Sequence, residues 1–315
     1  MINIKMGNLP PAGDILPEEG TMNTLNINTL PDYVNERKDE LFIKTSAGAK
    51  TLDYIEVMYN VKYKDALNYL DSTVVLADGS ECGWNPQGSD TITQRYIEVK
   101  PIAIQKEYCA KDLRKSWMNY ELRFEAGRET LPFAEKFVES NISAIQKEVE
   151  NMIWKGNEDA GVDGFLTQID GESTITKNTA TDVVAGVEKA YTALSGGAIE
   201  KGAYIFMSWT MFKNYVLAKN AECCGNAPII DANTVSYVYP YDTRVTIVPV
   251  AGLEGTQSIV GASKDALVYG TDVENADSTY VLDYDKKEGK FYLNILFNAG
   301  TALKFVDEIS FVTVG

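Results

Sequence analysis

Residues 131–157, LPFAEKFVESNISAIQKEVENMIWKGN, decide the fold. Ala134, Phe137, Val138, Ile142, Ile145, Val149, Met152 and Ile153 recur at spacings of three and four, which aligns them as one apolar stripe along a helix. Thr130 and Pro132 open the segment, proline because its fixed φ suits a first helical turn, and Gly156-Asn157 stops it. About 25 residues at about 1.5 Å each predict a rod of roughly 38 Å over 131–155, long for a globular helix and suited to act as a spine.

Upstream, two β-rich runs, 72–77 and 91–104, are separated by DGSECGWNPQG at 78–88. They predict a long hairpin. In its second run Ile92, Tyr96, Ile97, Val99, Ile102 and Ile104 stand among polar residues, whereas the tip offers only Trp84 as a large apolar group. A hairpin of this length without a core is marginal alone and needs a second surface. Trp84 and Asn85 at the tip and Tyr96 on the returning strand are therefore the candidate contact residues between subunits. Residues 1–30, rich in Pro, Gly, Asn and Thr without periodicity, read as an arm that gains order by lying on a neighbour. Short helices are expected around 32–41 and 52–59.

Downstream, Thr181-Asp182 opens a helix carrying Val183, Val184, Val187, Ala190, Tyr191 and Leu194, with Gly196-Gly197 at its end. Ala203–Met207 reads as a buried strand, and Ser208 caps a helix with Trp209, Phe212, Tyr215 and Val216. Strands follow at 245–250, 259–269, 279–284, 290–297 and 302–313, with Asp285-Lys286-Lys287-Glu288-Gly289 as a hairpin turn. The fold class is α+β.

With 29 Lys and Arg against 45 Asp and Glu, a net charge of -16, the chain lacks the clustered cations that hold nucleic-acid phosphates. No run approaches the roughly 18–20 apolar residues of a membrane-spanning helix, and residues 1–20 do not form a secretory signal, so synthesis and residence in the cytoplasm are expected. Histidine is absent, which removes the usual general base and metal ligand together with every Ser-His-Asp or Cys-His arrangement. Cys82, Cys109, Cys223 and Cys224 lack metal spacing and read as reduced structural thiols. Gly196-Gly197-Ala198 and 270–272 fit no phosphate-loop pattern. Glu148 with Glu150, and Asp283 with Asp285, read as solvated faces. No catalytic, cofactor-binding or metal-ligating residue is expected, and an enzyme working through carboxylates and a divalent metal is the remote alternative.

The order of arm, long hairpin, spine helix ending in Lys155-Gly156-Asn157, Gly164-Phe165-Leu166, strand–helix unit and strand-rich end resembles the major capsid protein of tailed bacteriophages, the Hong Kong 97-type fold shared with encapsulins. The resemblance covers residues 30–315. It is carried most by Phe133–Gly164 and by Ile259–Val314, where Gly261-Ala262-Ser263-Lys264-Asp265-Ala266 leads towards Ala302-Leu303-Lys304-Phe305. It implies an N-terminal arm over 1–30 and a peripheral domain over 31–179, whose extended loop at about 70–100 overlaps the adjacent subunit. It further implies an axial domain over 180–300 that meets its fellows at five-fold and six-fold axes, and a strand over 301–315 returning to the peripheral domain.

The implied partners are the chain itself, as pentamers and hexamers of an icosahedral shell, scaffolding and portal proteins, and packaged double-stranded DNA held without sequence-specific contact. No membrane is implied. The implied location is the virion capsid, with the host cytoplasm during assembly. Because no Lys lies between Asp71 and Asp90, the Lys–Asn cross-link of some relatives is not expected. The alternative within the same fold is an encapsulin shell enclosing a cargo enzyme.

Overall fold

The apolar stripe becomes helix α1, Phe133–Lys155, in a computed structural model that describes residues 41, 49–76, 88–113, 115, 133–221, 230–231, 236–272 and 280–315. Val138, Ile142, Ile145, Val149, Met152, Ile153 and Trp154 are all buried along it. The helix stops at Gly156, whose φ of 82° is open to glycine without strain. The returning loop presses so close that a Cβ on Gly164 would lie 2.2 Å from the Gly156 nitrogen. This tight return, bridged between Asn157 and Val162, launches helix α2, Phe165–Gly171.

Two sheets flank α1. One has strands β1 (Glu56–Tyr59), β4 (Lys100–Cys109), β11 (Leu267–Asp272), β12 (Tyr280–Asp285) and β13 (Lys290–Leu303). Strand β13 is its centre: β4 runs along one edge of it, and β12 and then β11 along the other. Strand β1 adds to β11 in parallel.

The other sheet has the order β5-β14-β10-β6-β9-β8-β7. Its strands are β5 (Lys177–Ala180), β6 (Ala203–Met207), β7 (Ile230–Asp231), β8 (Ser236–Val238), β9 (Val245–Pro249), β10 (Ser258–Ser263) and β14 (Ile309–Val314). Both of its faces are covered, which is why β6 reads as a continuous apolar run. Ala203, Ile205 and Met207 face helices α3 (Val183–Ala193) and α5 (Trp209–Ala221), whereas Phe206 faces the core shared with α1. There Trp154 packs edge-on to Phe165, with centroids 5.6 Å apart, and against Phe206 at 5.1 Å.

The helix caps follow the sequence. Asp182 accepts from the Ala185 amide at 2.8 Å and Ser208 from the Met211 amide at 3.2 Å. Ser208→Ala is expected to lower stability by about 1 kcal/mol in denaturant unfolding, because the hydroxyl is buried and the amide would keep no partner; an unchanged midpoint would show that the cap contributes nothing.

Several boundaries differ from the sequence reading. Residues 52–59 are not a helix: Lys50–Asp53 is a 3-10 turn and Glu56–Tyr59 a strand, since so short a stretch takes its conformation from its partner, 268–271. Gly196-Gly197 lies inside a short helix α4, Gly196–Lys201, capped by Ser195. The run 259–269 breaks at Lys264-Asp265, where the Ala266 amide turns back to the Ser263 carbonyl at 3.2 Å. The runs 290–297 and 302–313 divide elsewhere, as a fourteen-residue strand and β14, separated by the turn Val306–Glu308.

The sheets also cut across the expected divisions at 180 and 300. Strands β11, β12 and most of β13 join β1 and β4 from the first half, and β14 stays with β5, β10 and β6. The expected helix at 32–41 and the arm at 1–30 lie outside the described residues, apart from Leu41.

Candidate assembly surface

Strands β2 (Lys64–Val74) and β3 (Gly88–Glu98) form an antiparallel ribbon that pairs with no other described strand. It begins at Lys64 rather than 72, because polar residues on its exposed side dilute the apolar alternation of its first half. The returning run divides at Val99: 88–98 belongs to the ribbon and 100–109 to the five-stranded sheet.

The root of the ribbon is fixed by packing. Leu67, Ile97 and Val99 bury against Val61, Val268 and Ala302. Two glycines opposite one another in β11 and β13, Gly270 and Gly300, make room for it. A Cβ on Gly300 would lie 2.0 Å from the Glu98 carbonyl oxygen, and one on Gly270 would lie 2.8 Å from Ile97 Cδ1. Further out on the same face, Arg95 Nη2 donates to Glu172 Oε2 at 3.0 Å, and the Tyr69 ring lies 5.0 Å from that of Phe305. The Arg95 guanidinium holds the Glu172 carboxyl below its ordinary range.

The opposite face meets solvent. Tyr96 lies across from Ala66, its ring 4.3 Å from Lys64 Nζ and its hydroxyl donating to Gln94 Oε1 at 3.0 Å. Ile92 is 74% exposed, and beyond the end of β2 Leu76 is 94% exposed. Tyr59 and Tyr63 continue the exposed apolar groups at the root. Isolated apolar side chains on a surface are ordinary. A projecting ribbon that turns Tyr96 and Ile92 the same way is a surface suited to a partner. Of the candidate contact residues, Tyr96 is on this face, and Trp84 and Asn85 lie outside the described residues, as do Cys82, Cys223 and Cys224. The sequence reading did not single out Ile92 for contact, although its even-numbered phase with Tyr96, opposite to that of Ile97 and Val99, was the available signal.

The acidic pairs read as solvated faces divide. Asp283 is exposed, and Asp285 caps its turn by accepting from the Lys287 amide at 2.7 Å. Glu148 is exposed, but Glu150 is 3% exposed, which corrects that reading. It sits on the buried side of α1 because Thr51 and the 50–53 backbone supply donors there. Burial raises its pKa, and its hydrogen bonds to Thr51 act against that rise. Asp242, gripped by Arg244 through Nε at 3.1 Å and Nη2 at 3.0 Å, is pulled down to about 2.

Among the described residues no group of three or more His, Cys, Asp or Glu could hold a metal ion. No described helix is long and apolar enough to cross a membrane. A cleft of about 330 Å³ lined by Ser208, Thr210, Asn214, Glu254 and Gln257 has its carboxylate engaged by the Thr210 hydroxyl.

No protein-family model and no curated protein matches the sequence. Among solved structures, the chain is similar to the satellite phage P4 procapsid including size determination (Sid) protein, with a TM-score of 0.56 and 10% identity over 88% of this chain and 91% of that one. It is similar to the capsid of Myoviridae phage XM1, with a TM-score of 0.53 and 12% identity over 85% and 92%. The virus-like particle from Pyrococcus furiosus gives a TM-score of 0.51 and 8% identity over 88% and 98%. At such identities the likeness speaks for architecture. The spine helix between two sheets and the ribbon rooted on β11 and β13 are therefore arranged in the Hong Kong 97-type fold of phage capsid proteins.

Proposed function

We propose that this chain is a structural subunit of an icosahedral phage or prophage head, assembling into pentamers and hexamers that enclose double-stranded DNA. The observation that carries the proposal is the ribbon 64–98. Its inner face is spent on a firm root, and its outer face offers Tyr96 and Ile92 to a neighbouring copy. A closed symmetric assembly repeats such a contact at every subunit and recovers the cost of leaving it open in one. In this reading α1 with the five-stranded sheet forms the peripheral body, and the seven-stranded sheet with α3 and α5 the axial body. Scaffolding and portal proteins are the expected further partners, and the role is structural rather than catalytic. The surplus of acidic over basic residues suits a wall that does not grip the packaged DNA.

Negative-stain microscopy and light scattering of the purified chain test the proposal. Closed shells, pentamers or hexamers are the expected result, and a strict monomer at high concentration with scaffold added would overturn it. The double variant Ile92→Asp, Tyr96→Asp is expected to stay unassembled while melting within a few degrees of the parent, since both side chains are on the solvent face. Shells formed equally well by the variant would remove the ribbon from the contact. The similarity to the virus-like particle from Pyrococcus furiosus favours a second reading, an encapsulin-type container. Particles recovered from the native host that hold protein cargo and no phage DNA would select it.

A further inference from the structure

The ribbon meets the rest of the molecule at one level. Strand β2 begins at Lys64 and β3 ends at Glu98, and these two residues face each other as the inner end of the ladder. Two short connectors, 60–63 and Val99, join them to β1 and β4. The connectors are tied by the Val99 amide, which donates to the Tyr63 carbonyl at 2.9 Å, and Asn60 turns the first of them with a φ of 64°. Among the described strands none flanks the ribbon to fix its angle, so the root acts as a pivot. The polar grip lies further out. Arg95, on the inward face, donates Nη2 to Glu172 Oε2 at 3.0 Å. Glu172 follows the last turn of α2, and its other oxygen, Oε1, accepts from the Thr174 hydroxyl at 3.0 Å. Helix α2 is itself tied to β13, since Gln168 Nε2 donates to the Thr301 carbonyl at 2.9 Å and to its Oγ1 at 2.8 Å. The acceptor is thus oriented by the body and not by the ribbon. Beside it Tyr69 rests on Phe305, whose ring also carries Lys201 Nζ at 4.7 Å and Lys304 Nζ at 5.3 Å.

We infer that the Arg95–Glu172 ion pair is a positioning latch, which sets the angle at which the ribbon leaves the body and which added salt loosens. At about 3.3 Å per residue, Arg95 lies roughly 13 Å and Ile92 roughly 23 Å along the strand from Val99. A movement of about 3 Å at the latch therefore becomes about 5 Å at Ile92. The two side chains are 30% and 22% exposed, so dissolved ions reach the pair. At 1 M salt the screening length falls to about 3 Å, the span of the pair itself. The apolar root and the Tyr69–Phe305 contact carry no such sensitivity, so unlatching widens the spread of angles without detaching the ribbon. The latch belongs to the single chain and holds whether or not the chain builds a shell. Its consequence for assembly rests on the reading of the ribbon as a contact: Ile92 and Tyr96 have a defined aim towards a neighbour while the pair is closed.

Pulsed electron paramagnetic resonance on the dispersed full chain reads the angle as a distance. Ketone-bearing amino acids at position 92 and at the exposed position 148 of α1 take the two spin labels and leave the four cysteines in place. In about 0.05 M sodium chloride a narrow distance distribution is expected. In about 1 M it is expected to broaden, the ratio of latched to displaced ribbons falling by about two- to fivefold. Glu172→Gln, which removes the charge and keeps the shape, is expected to give the broad distribution at both salt concentrations. A labelled parent whose distribution ignores salt would overturn the inference, and this result stands even if the variant fails to fold. So would a Glu172→Gln chain that stays narrow, or one that still broadens with salt. Because single chains are measured, an absent latch leaves the shell reading intact, and a chain that never assembles leaves the latch intact.

Discussion

Gly300→Ala is expected to destabilise the chain by on the order of 3 kcal/mol and to detach the ribbon from the body. The added methyl would lie 2.0 Å from the Glu98 carbonyl oxygen and 3.0 Å from the Val99 Cα, and both are backbone atoms that cannot rotate aside. Relief would require either β13 or the ribbon root to shift, opening the contacts of Ile97, Val99 and Leu67 with Val268 and Ala302. Gly197→Ala is the matched control: its Cβ would meet nothing within 4 Å, and it lies in helix α4, so a gain of a few tenths to about 1 kcal/mol is expected. Denaturant unfolding of the dispersed chains compares the two. A Gly300→Ala midpoint equal to the parent's would mean that the ribbon does not press on the sheet.

Trp154→Ala should cost more, about 3–5 kcal/mol. The side chain is fully buried between Phe165 and Phe206, where α1, α2 and the seven-stranded sheet meet, and its loss would leave a cavity lined by fixed aromatic rings. Its Nε1 also donates to Thr51, so Trp154→Phe, which keeps most of the volume, is expected to lose about 1–3 kcal/mol through the unmet polar group and the remaining gap. If the alanine variant lost less than about 1.5 kcal/mol, the meeting of α1, α2 and the seven-stranded sheet would not depend on this one side chain.

Much of this architecture was legible in the sequence. The stripe of α1, the stop at Gly156, the caps at Asp182 and Ser208 and the turn 285–289 are local features whose chemistry depends on nearby residues, and each has its predicted place. Features that depend on a distant partner were less legible. Glu56–Tyr59 becomes a strand only because 268–271 is beside it, and Asn298–Leu303 continues β13 only because Leu267–Asp272 pairs with it. Glu150 looked like one more acid in an acidic chain until Lys50 and Thr51 were brought to it.

The candidate assembly surface was partly legible. The apolar positions of 92–104 change phase twice, from even at Ile92 and Tyr96 to odd at Ile97 and Val99, and back to even at Ile102 and Ile104. The second change coincides with the break at Val99, where the chain leaves the ribbon for the sheet, and the first divides the outward face from the root.

The order in which the five-stranded sheet is put together has a further consequence for how the chain is made. Its strand β1 at 56–59 waits for 268–271, and β4 at 100–109 waits for 290–299, so the sheet remains open until residue 299 has left the ribosome. During that interval the apolar side of the spine helix lacks its cover from this sheet. Contacts so far apart in sequence slow the search for the native pairing and prolong the exposure of sticky surface. Synthesis of this protein in quantity should accordingly depend on chaperone supply, with yield of soluble chain rising when translation is slowed or folding helpers are co-expressed.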